Sequence, residues 1–136
     1  MQQMSIFDLP AASPTISDPQ TTAEKFWNFH RQNPQVFAAL RDLALEARRR
    51  GDKEGIKSLY EVARWKLKRL QTAGDPVKLS NSYTGFYARL IMLLVPELEG
   101  FFDLRPMRQE SRLQDVLSPQ LAARLTEMEQ RLMGDV

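Results

Sequence analysis

The chain contains no cysteine and only one histidine among its 136 residues. The missing thiols exclude disulfides and cysteine-ligated zinc or iron-sulfur sites, so packing alone must hold the fold. No charge-free apolar run reaches the roughly 18 to 20 residues that a membrane-spanning helix needs, and the N-terminus lacks the long apolar centre of a signal peptide. We therefore expect a cytoplasmic protein of one domain plus tails, with no membrane segment.

Side chains that commonly carry out catalysis are also scarce. His30 stands beside aromatic residues with no cysteine or second histidine to join it, which favours a structural role. Glu97 and Glu99 lie two positions apart, so on a helix they would point to different faces. No glycine is followed by the Lys-Ser or Lys-Thr of a phosphate-binding loop. The sequence therefore predicts no enzyme, no metal site and no cofactor.

Prolines and helix caps divide the chain into three parts. Pro10, Pro14 and Pro19 interrupt any regular structure near the start, so residues 1–20 are predicted to be a disordered, flexible tail. Residues 21–105 are predicted to form the helical core domain. Residues 106–136 are predicted to be a linker followed by an amphipathic helix that starts at Ser118-Pro119.

Helical spacing of apolar residues dominates the core region. The first helix begins at Thr21, which stands at capping-box spacing from Glu24, and the second begins at Asn33-Pro34, where Asn33 is the expected cap. The third helix has the clearest apolar face, made of Ile56, Leu59, Tyr60, Ala63, Leu67 and Leu70. After a fourth helix, Pro96 opens a short fifth one over residues 97–103. The predicted fold class is all-α, a compact domain of five to six helices with one short extended segment near residues 77–79.

Charge is distributed unevenly along the chain. Residues 41–94 contain twelve basic and six acidic side chains, whereas residues 95–136 contain five basic and eight acidic ones. Solubility alone does not require this segregation, so a basic middle predicts a surface that faces a polyanion. Trp65 lies off the apolar face of the third helix, and we expect it to contact either the first helix or a partner.

The third and fourth helices are compatible with a helix-turn-helix-like pair that binds DNA through the polar start of the fourth helix and the basic face of the third. The predicted DNA-binding residues are Lys57, Arg64, Lys68, Arg69, Lys78, Asn81, Ser82, Thr84 and Arg89. The connection over residues 70–80 is much longer than a tight turn, which limits this reading to a divergent variant. The alternatives are that the same face binds a protein, or that it is only solvated and residues 80–82 are helix caps.

Four stretches of the core carry a family resemblance. They read NPQVFAALRDLALEARRRG, GIKSLYEVARW, PVKLSNSYTGFYARLIM and PELEGFFDLR. Together they resemble a group of small phage and prophage proteins over residues 26–105. The resemblance implies a mobile-element protein acting in a bacterial host cell, with a helical and helix-turn-helix-like domain, and it implies no reaction.

The N-terminal tail contains an apolar pentapeptide, Gln3-Met4-Ser5-Ile6-Phe7. It resembles the peptide by which bacterial replication and repair proteins bind the sliding clamp, Gln-Leu-(Ser or Asp)-Leu-Phe. By this resemblance Gln3 is the polar anchor, Met4 and Ile6 fill aliphatic sites, and Phe7 is the main wedge in an apolar groove. The alternative is a strap in which Ile6, Phe7 and Leu9 pack on the protein's own core.

The last helix has a narrow apolar seam that its own domain or a second copy must cover, so a homodimer through this helix is one prediction. The seam consists of Leu121, Leu125, Met128 and Leu132. The leading functional prediction is a phage-type, DNA-associated accessory protein that its N-terminal peptide recruits to the replication clamp. The alternative is a protein-interaction module or inhibitor, a host-takeover or anti-defence factor, with no nucleic-acid binding.

Overall fold

The computed structural model describes residues 15–70, 77–107 and 111–134. Within these residues the chain forms five α-helices: α1 (Thr22–Gln32), α2 (Pro34–Arg49), α3 (Ile56–Leu70), α4 (Thr84–Leu94) and α5 (Pro119–Met133). Three short 3-10 helices lie between them, at Asn81–Tyr83, Pro96–Leu98 and Leu113–Val116. These described residues contain no β-strand, so the predicted all-α fold class is confirmed.

Local capping signals start most of the helices where they were expected. At the start of α1 the Thr21 hydroxyl accepts a hydrogen bond from the Glu24 backbone N–H at 3.1 Å, and the Glu24 carboxylate accepts one from the Thr21 N–H at 3.0 Å. The backbone N–H groups of Thr21 and Gln20 both donate to this carboxylate at 3.0 Å and hold the pKa of Glu24 below its usual value. Asn33 is the N-cap residue of α2 as predicted, but its side chain makes no capping bond there. The side-chain amide instead donates to the Phe29 carbonyl at 3.1 Å, at the end of α1.

The predicted fifth helix over residues 97–103 is also wrong. The chain makes only the 3-10 helix Pro96–Leu98 and then turns. Gly100 adopts a φ of +83°, in the left-handed region that ends a right-handed helix. Phe102 nevertheless reaches the core, where it is 3 % exposed.

The central element is α4, which is buried at every position from Phe86 to Leu94. The helices α3 and α5 pack against it, and α2 packs against α3. From α1, Phe26 stacks on Phe86 at a ring-centroid distance of 5.1 Å and meets the edge of Tyr87 at 4.8 Å. This arrangement explains the continuous apolar sequence of α4 and places α3 at the surface of the domain.

The apolar seam of α5 is covered by the chain itself. Leu121, Leu125 and Met128 are at most 4 % exposed, and α5 packs on α4 and on the 3-10 helix Leu113–Val116. The intramolecular alternative thus accounts for these three side chains. A homodimer through this helix stays a prediction.

Both ends of the predicted core domain extend further than the sequence indicates. Before α1, the Ile16 N–H donates to the Asn28 side-chain oxygen at 2.6 Å, and the Asn28 amide donates back to the Ile16 carbonyl at 2.7 Å. After α4, Leu113 is fully buried within the stretch predicted to be a linker. The backbone at Ile16 is therefore bound to the domain, whereas the tail prediction for residues 1–14 lies outside the described residues.

Candidate nucleic-acid interface on α3

α3 buries one side in the core and exposes the opposite side. Leu59, Tyr60 and Ala63 are at most 5 % exposed. Because an α-helix repeats every 3.6 residues, positions 4, 7 and 11 residues apart share a stripe along its surface. The polar stripe consists of Lys57, Glu61, Arg64 and Lys68, and the neighbouring aromatic stripe consists of Ser58, Val62, Trp65 and Arg69.

The aromatic stripe carries the most exposed indole of the described chain. Trp65 is 60 % exposed and Val62 is 45 % exposed, and no other large hydrophobic side chain in the described residues is as open. The Arg69 guanidinium carbon lies 4.9 Å from the centroid of the Trp65 ring. Such a cation–π contact stabilises the pair by about 0.5–1 kcal/mol at an exposed site. Trp65 was expected to contact either the first helix or a partner, and its high exposure leaves most of the ring open to a partner.

In the polar stripe Arg64 is tied to its surroundings. Its guanidinium pairs with Glu61 on the same helix and donates to the Leu79 carbonyl at 3.0 Å and to the Asn81 side-chain oxygen at 2.8 Å. The guanidinium carbon also lies 5.5 Å from the centre of the Tyr60 ring. The side chains of Arg64 and Asn81 are therefore hydrogen-bonded to each other instead of facing a base edge.

The polar residues at the start of α4 act as caps. The Ser80 hydroxyl accepts a hydrogen bond from the Ser82 N–H at 3.2 Å, and the Thr84 hydroxyl donates to the Asn81 carbonyl at 3.3 Å. Ser82 is exposed and Thr84 is half-buried. These contacts match the capping alternative for Ser80, because its hydroxyl satisfies a backbone N–H of its own turn, and the Thr84 hydroxyl likewise bonds to a nearby backbone group.

The prediction that Arg89 faces DNA is wrong. Its side chain is 2 % exposed, and its Nε lies 2.6 Å from the carboxylate of Glu129 on α5. The guanidinium also donates to the carbonyls of Gly85 and Arg105. Arg89 is a buried structural cation, because α4 is the central helix of the fold.

The helix-turn-helix reading fails for the same reason. A recognition helix must present one side to a groove, whereas α4 is buried from Phe86 to its end at Leu94. Its first turn is further restricted at Gly85, where a Cβ atom would come within 3.1 Å of the Met107 side chain. This glycine provides space for Met107 of the same chain.

Four of the predicted site residues are exposed cations with no carboxylate partner among the described residues: Lys57, Lys68, Arg69 and Lys78. The first three belong to the two stripes of α3. Lys78 precedes Leu79, whose carbonyl is bound to Arg64, so the loop that carries Lys78 is fixed beside the helix. Lys57, Lys68 and Arg69 therefore share the exposed side of α3, and Lys78 lies in the loop that is bonded to this helix through Leu79.

A cavity of about 550 Å³ opens next to Lys57, between the starts of α3 and α4 and residues 101–107. Its lining carries both signs of charge, and Lys53 pairs with Asp103 across it at 3.0 Å. In the described residues no group of three or more histidine, aspartate or glutamate side chains is placed to hold a metal ion. No helix in the described parts of the chain combines the length and apolar character required to cross a membrane.

Comparisons with protein-family models, with curated proteins and with solved structures find no match to this chain. The resemblance to phage and prophage proteins therefore stays a prediction.

Proposed function

We propose that this chain is a non-enzymatic, nucleic-acid-associated protein that binds phosphate groups through the outer face of α3. The observation that carries the proposal is the exposed group Lys57, Lys68, Arg69 and Lys78, which has no carboxylate partner among the described residues. The only acidic residue of α3, Glu61, is paired with Arg64 and does not offset these charges. A polyanion binds a cationic surface of this kind because binding releases the counterions condensed on the polyanion.

Such binding would depend on the nucleic-acid backbone more than on its sequence. Sequence is read by side chains that bind base edges, and contacts to phosphate carry no sequence information. Of the residues predicted to contact base edges, Arg89 is buried and Asn81 is hydrogen-bonded to Arg64. We therefore expect salt-dependent affinity with little discrimination between sequences.

Removing two of the exposed lysines tests where the phosphates bind. We expect Lys57→Gln with Lys68→Gln to weaken binding to a fluorescent single-stranded oligonucleotide at low salt. The slope of log affinity against log salt should become shallower by about 1.4, because each phosphate contact to a single strand contributes about 0.7. Fluorescence anisotropy over a salt series measures both quantities.

A matched control removes the same net charge from other helices. Lys25 on α1 and Arg124 on α5 are both exposed, so Lys25→Gln with Arg124→Gln changes the total charge without touching α3. This control should keep the parent slope. Equal losses in both double variants would refute the assignment to α3, and an absence of binding by the parent at low salt would refute the proposed function.

A protein partner is the second candidate function, and the aromatic stripe is the observation that favours it. Tryptophan and arginine are enriched in the few residues that dominate protein interfaces, and Trp65 and Arg69 are such a pair at the surface. Under this reading the surrounding cations meet an acidic protein patch, as an inhibitor or anti-defence factor would require. The parent chain would then bind no oligonucleotide even at low salt.

The proposal includes recruitment to the sliding clamp through Gln3, Met4, Ile6 and Phe7, residues that lie outside the described part of the chain. Phe7 is nine residues from Ile16, where the chain is fixed to α1. Nine residues span at most roughly 30 Å, which is enough for a tethered peptide to reach a separate protein beside the domain. Clamp peptide and strap both stay predictions.

Phe7→Ala separates these two readings. We expect it to abolish binding to purified sliding clamp and to leave the melting temperature nearly unchanged, because the clamp peptide places the phenyl ring in its partner. Ser5→Asp is the matched control, since the clamp motif accepts either residue at that position. A parent chain that does not bind the clamp, together with a clear drop in melting temperature for Phe7→Ala, would establish the strap instead.

A further inference from the structure

The two tryptophans of the chain have opposite environments. Trp27 is 1 % exposed and belongs to the core, whereas Trp65 is 60 % exposed on the side of α3 that faces away from Leu59 and Ala63. The Trp65 ring makes a cation–π contact with the guanidinium of Arg69, one helical turn further on. Burying an indole stabilises a fold and exposing one does not, so Trp65 contributes little to folding.

The surroundings of Trp65 are cationic. Lys66, Lys68 and Arg69 all lie within four residues of it and are exposed, whereas Glu61, also four residues away, is paired with Arg64. The single apolar neighbour in its stripe is Val62. An exposed aromatic ring among cations is the arrangement found where single nucleic-acid strands bind.

Whether the ligand is a single strand or a duplex follows from the parts of each that an indole ring can contact. In a duplex the base faces are stacked on one another, and only base edges and phosphates are accessible. In a single strand the base faces are open, and stacking on an aromatic side chain tolerates any sequence. The described residues offer an exposed ring for stacking, whereas α4 is too buried to act as a recognition helix for a duplex.

Building on the proposed function, we propose that the outer face of α3 binds single-stranded nucleic acid, with one base stacked on Trp65 and the flanking phosphates bound by Lys66 and Lys68. Arg69 then acts as a positioning residue, because its guanidinium packs against the indole and restricts its rotation. Lys66 and Lys68 follow the ring by one and three residues, so both cations lie within one helical turn of it.

The test compares a single strand with a duplex. An oligothymidylate of about 15 nucleotides and a duplex of the same length are titrated into the full chain at about 50 mM salt. We expect the single strand to bind more tightly and to quench the tryptophan emission. Trp65→Ala should lower the single-strand affinity roughly tenfold, abolish the quenching and leave the duplex affinity unchanged.

Two further variants complete the design. Trp65→Phe keeps a ring and should retain most of the affinity, whereas Val62→Ala removes exposed apolar surface from the same stripe and should change nothing. Unchanged melting temperatures would show that each variant is folded. If Val62→Ala weakens binding as much as Trp65→Ala does, the ligand binds through general apolar contact with this stripe, and the stacking inference is wrong.

The failure of this inference is distinct from the failure of the proposed function. If Trp65→Ala binds the single strand as the parent does while the double lysine variant binds it weakly, the stacking inference fails and the phosphate-binding function stands. Duplex binding that is tighter than single-strand binding overturns the inference in the same way. If the parent binds neither oligonucleotide, both proposals fail and the protein-partner reading takes their place.

Discussion

Arg89→Met is expected to lower the free energy of unfolding by about 3–5 kcal/mol, because it leaves a largely buried carboxylate without its cation. The Arg89 side chain is 2 % exposed and that of Glu129 is 16 % exposed, and the two are joined at 2.6 Å. The substitution also removes the donor to the carbonyls of Gly85 and Arg105. Urea denaturation followed by circular dichroism at pH 7 measures the change.

A double variant distinguishes the loss of a charge partner from the loss of packing. Arg89→Met with Glu129→Leu removes both charges, so we expect it to recover much of the stability that the single variant loses. Arg131→Gln is the exposed counterpart, since it breaks the surface pair between Arg131 and Glu99 at 2.6 Å and should leave the melting temperature nearly unchanged. If Arg89→Met costs no more than Arg131→Gln, Arg89 is not the structural cation described here.

Arg89 also shows where sequence reasoning stops. Helical spacing could place Arg89 on the outer side of a fourth helix, and its positive charge favoured the prediction that it binds DNA there. The contrary signal was its neighbourhood, because Phe86 to Leu94 contains no other charged residue. A cation in such a run needs a buried partner, and that partner, Glu129, lies 40 residues away in the sequence. Local pattern cannot identify a contact at that separation.

Features that depend on a few adjacent residues were predictable. The capping box at Thr21 and Glu24 and the start of α5 at Ser118-Pro119 both follow from short-range hydrogen bonds and the fixed φ of proline. Only the bonding of the Asn33 side chain was mispredicted, because an asparagine between two helices can bond to either one, and here its amide bonds to the end of α1. The helix after Pro96 was overestimated because the left-handed turn at Gly100 was not anticipated.

The candidate site was predictable only in part, for a related reason. The 3.6-residue period correctly identified which side of α3 is exposed, and it placed Trp65 off the apolar face. Whether a cation on that side is available depends on the loop that packs beside it. Arg64 is held by Leu79 and Asn81, fifteen and seventeen residues further along, and periodicity within one helix contains no information about such contacts.

Acidification is expected to destabilise the fold through His30. The ring is fully buried and packs near Phe26, Trp27 and Phe37 at centroid distances of 5.4 to 6.0 Å. Neither ring nitrogen has a hydrogen-bond partner among the described residues. Burial, with a smaller contribution from the charge of Arg31, lowers the pKa of His30 from 6.5 to about 4. The folded state therefore keeps the imidazole neutral where the unfolded state protonates it.

Between pH 6.5 and 4 the unfolded chain binds one more proton at this site than the folded chain, so stability falls as the pH falls. Full stability is present above pH 6.5, and about 3 kcal/mol is lost by pH 4, since one pKa unit corresponds to about 1.4 kcal/mol. His30→Phe keeps an aromatic ring but cannot take up the proton, so its unfolding free energy should be nearly flat across this range. Arg31→Gln, which leaves the imidazole buried, should retain most of the parent's pH dependence. Parallel pH profiles for His30→Phe and the parent would assign the acid sensitivity to other groups.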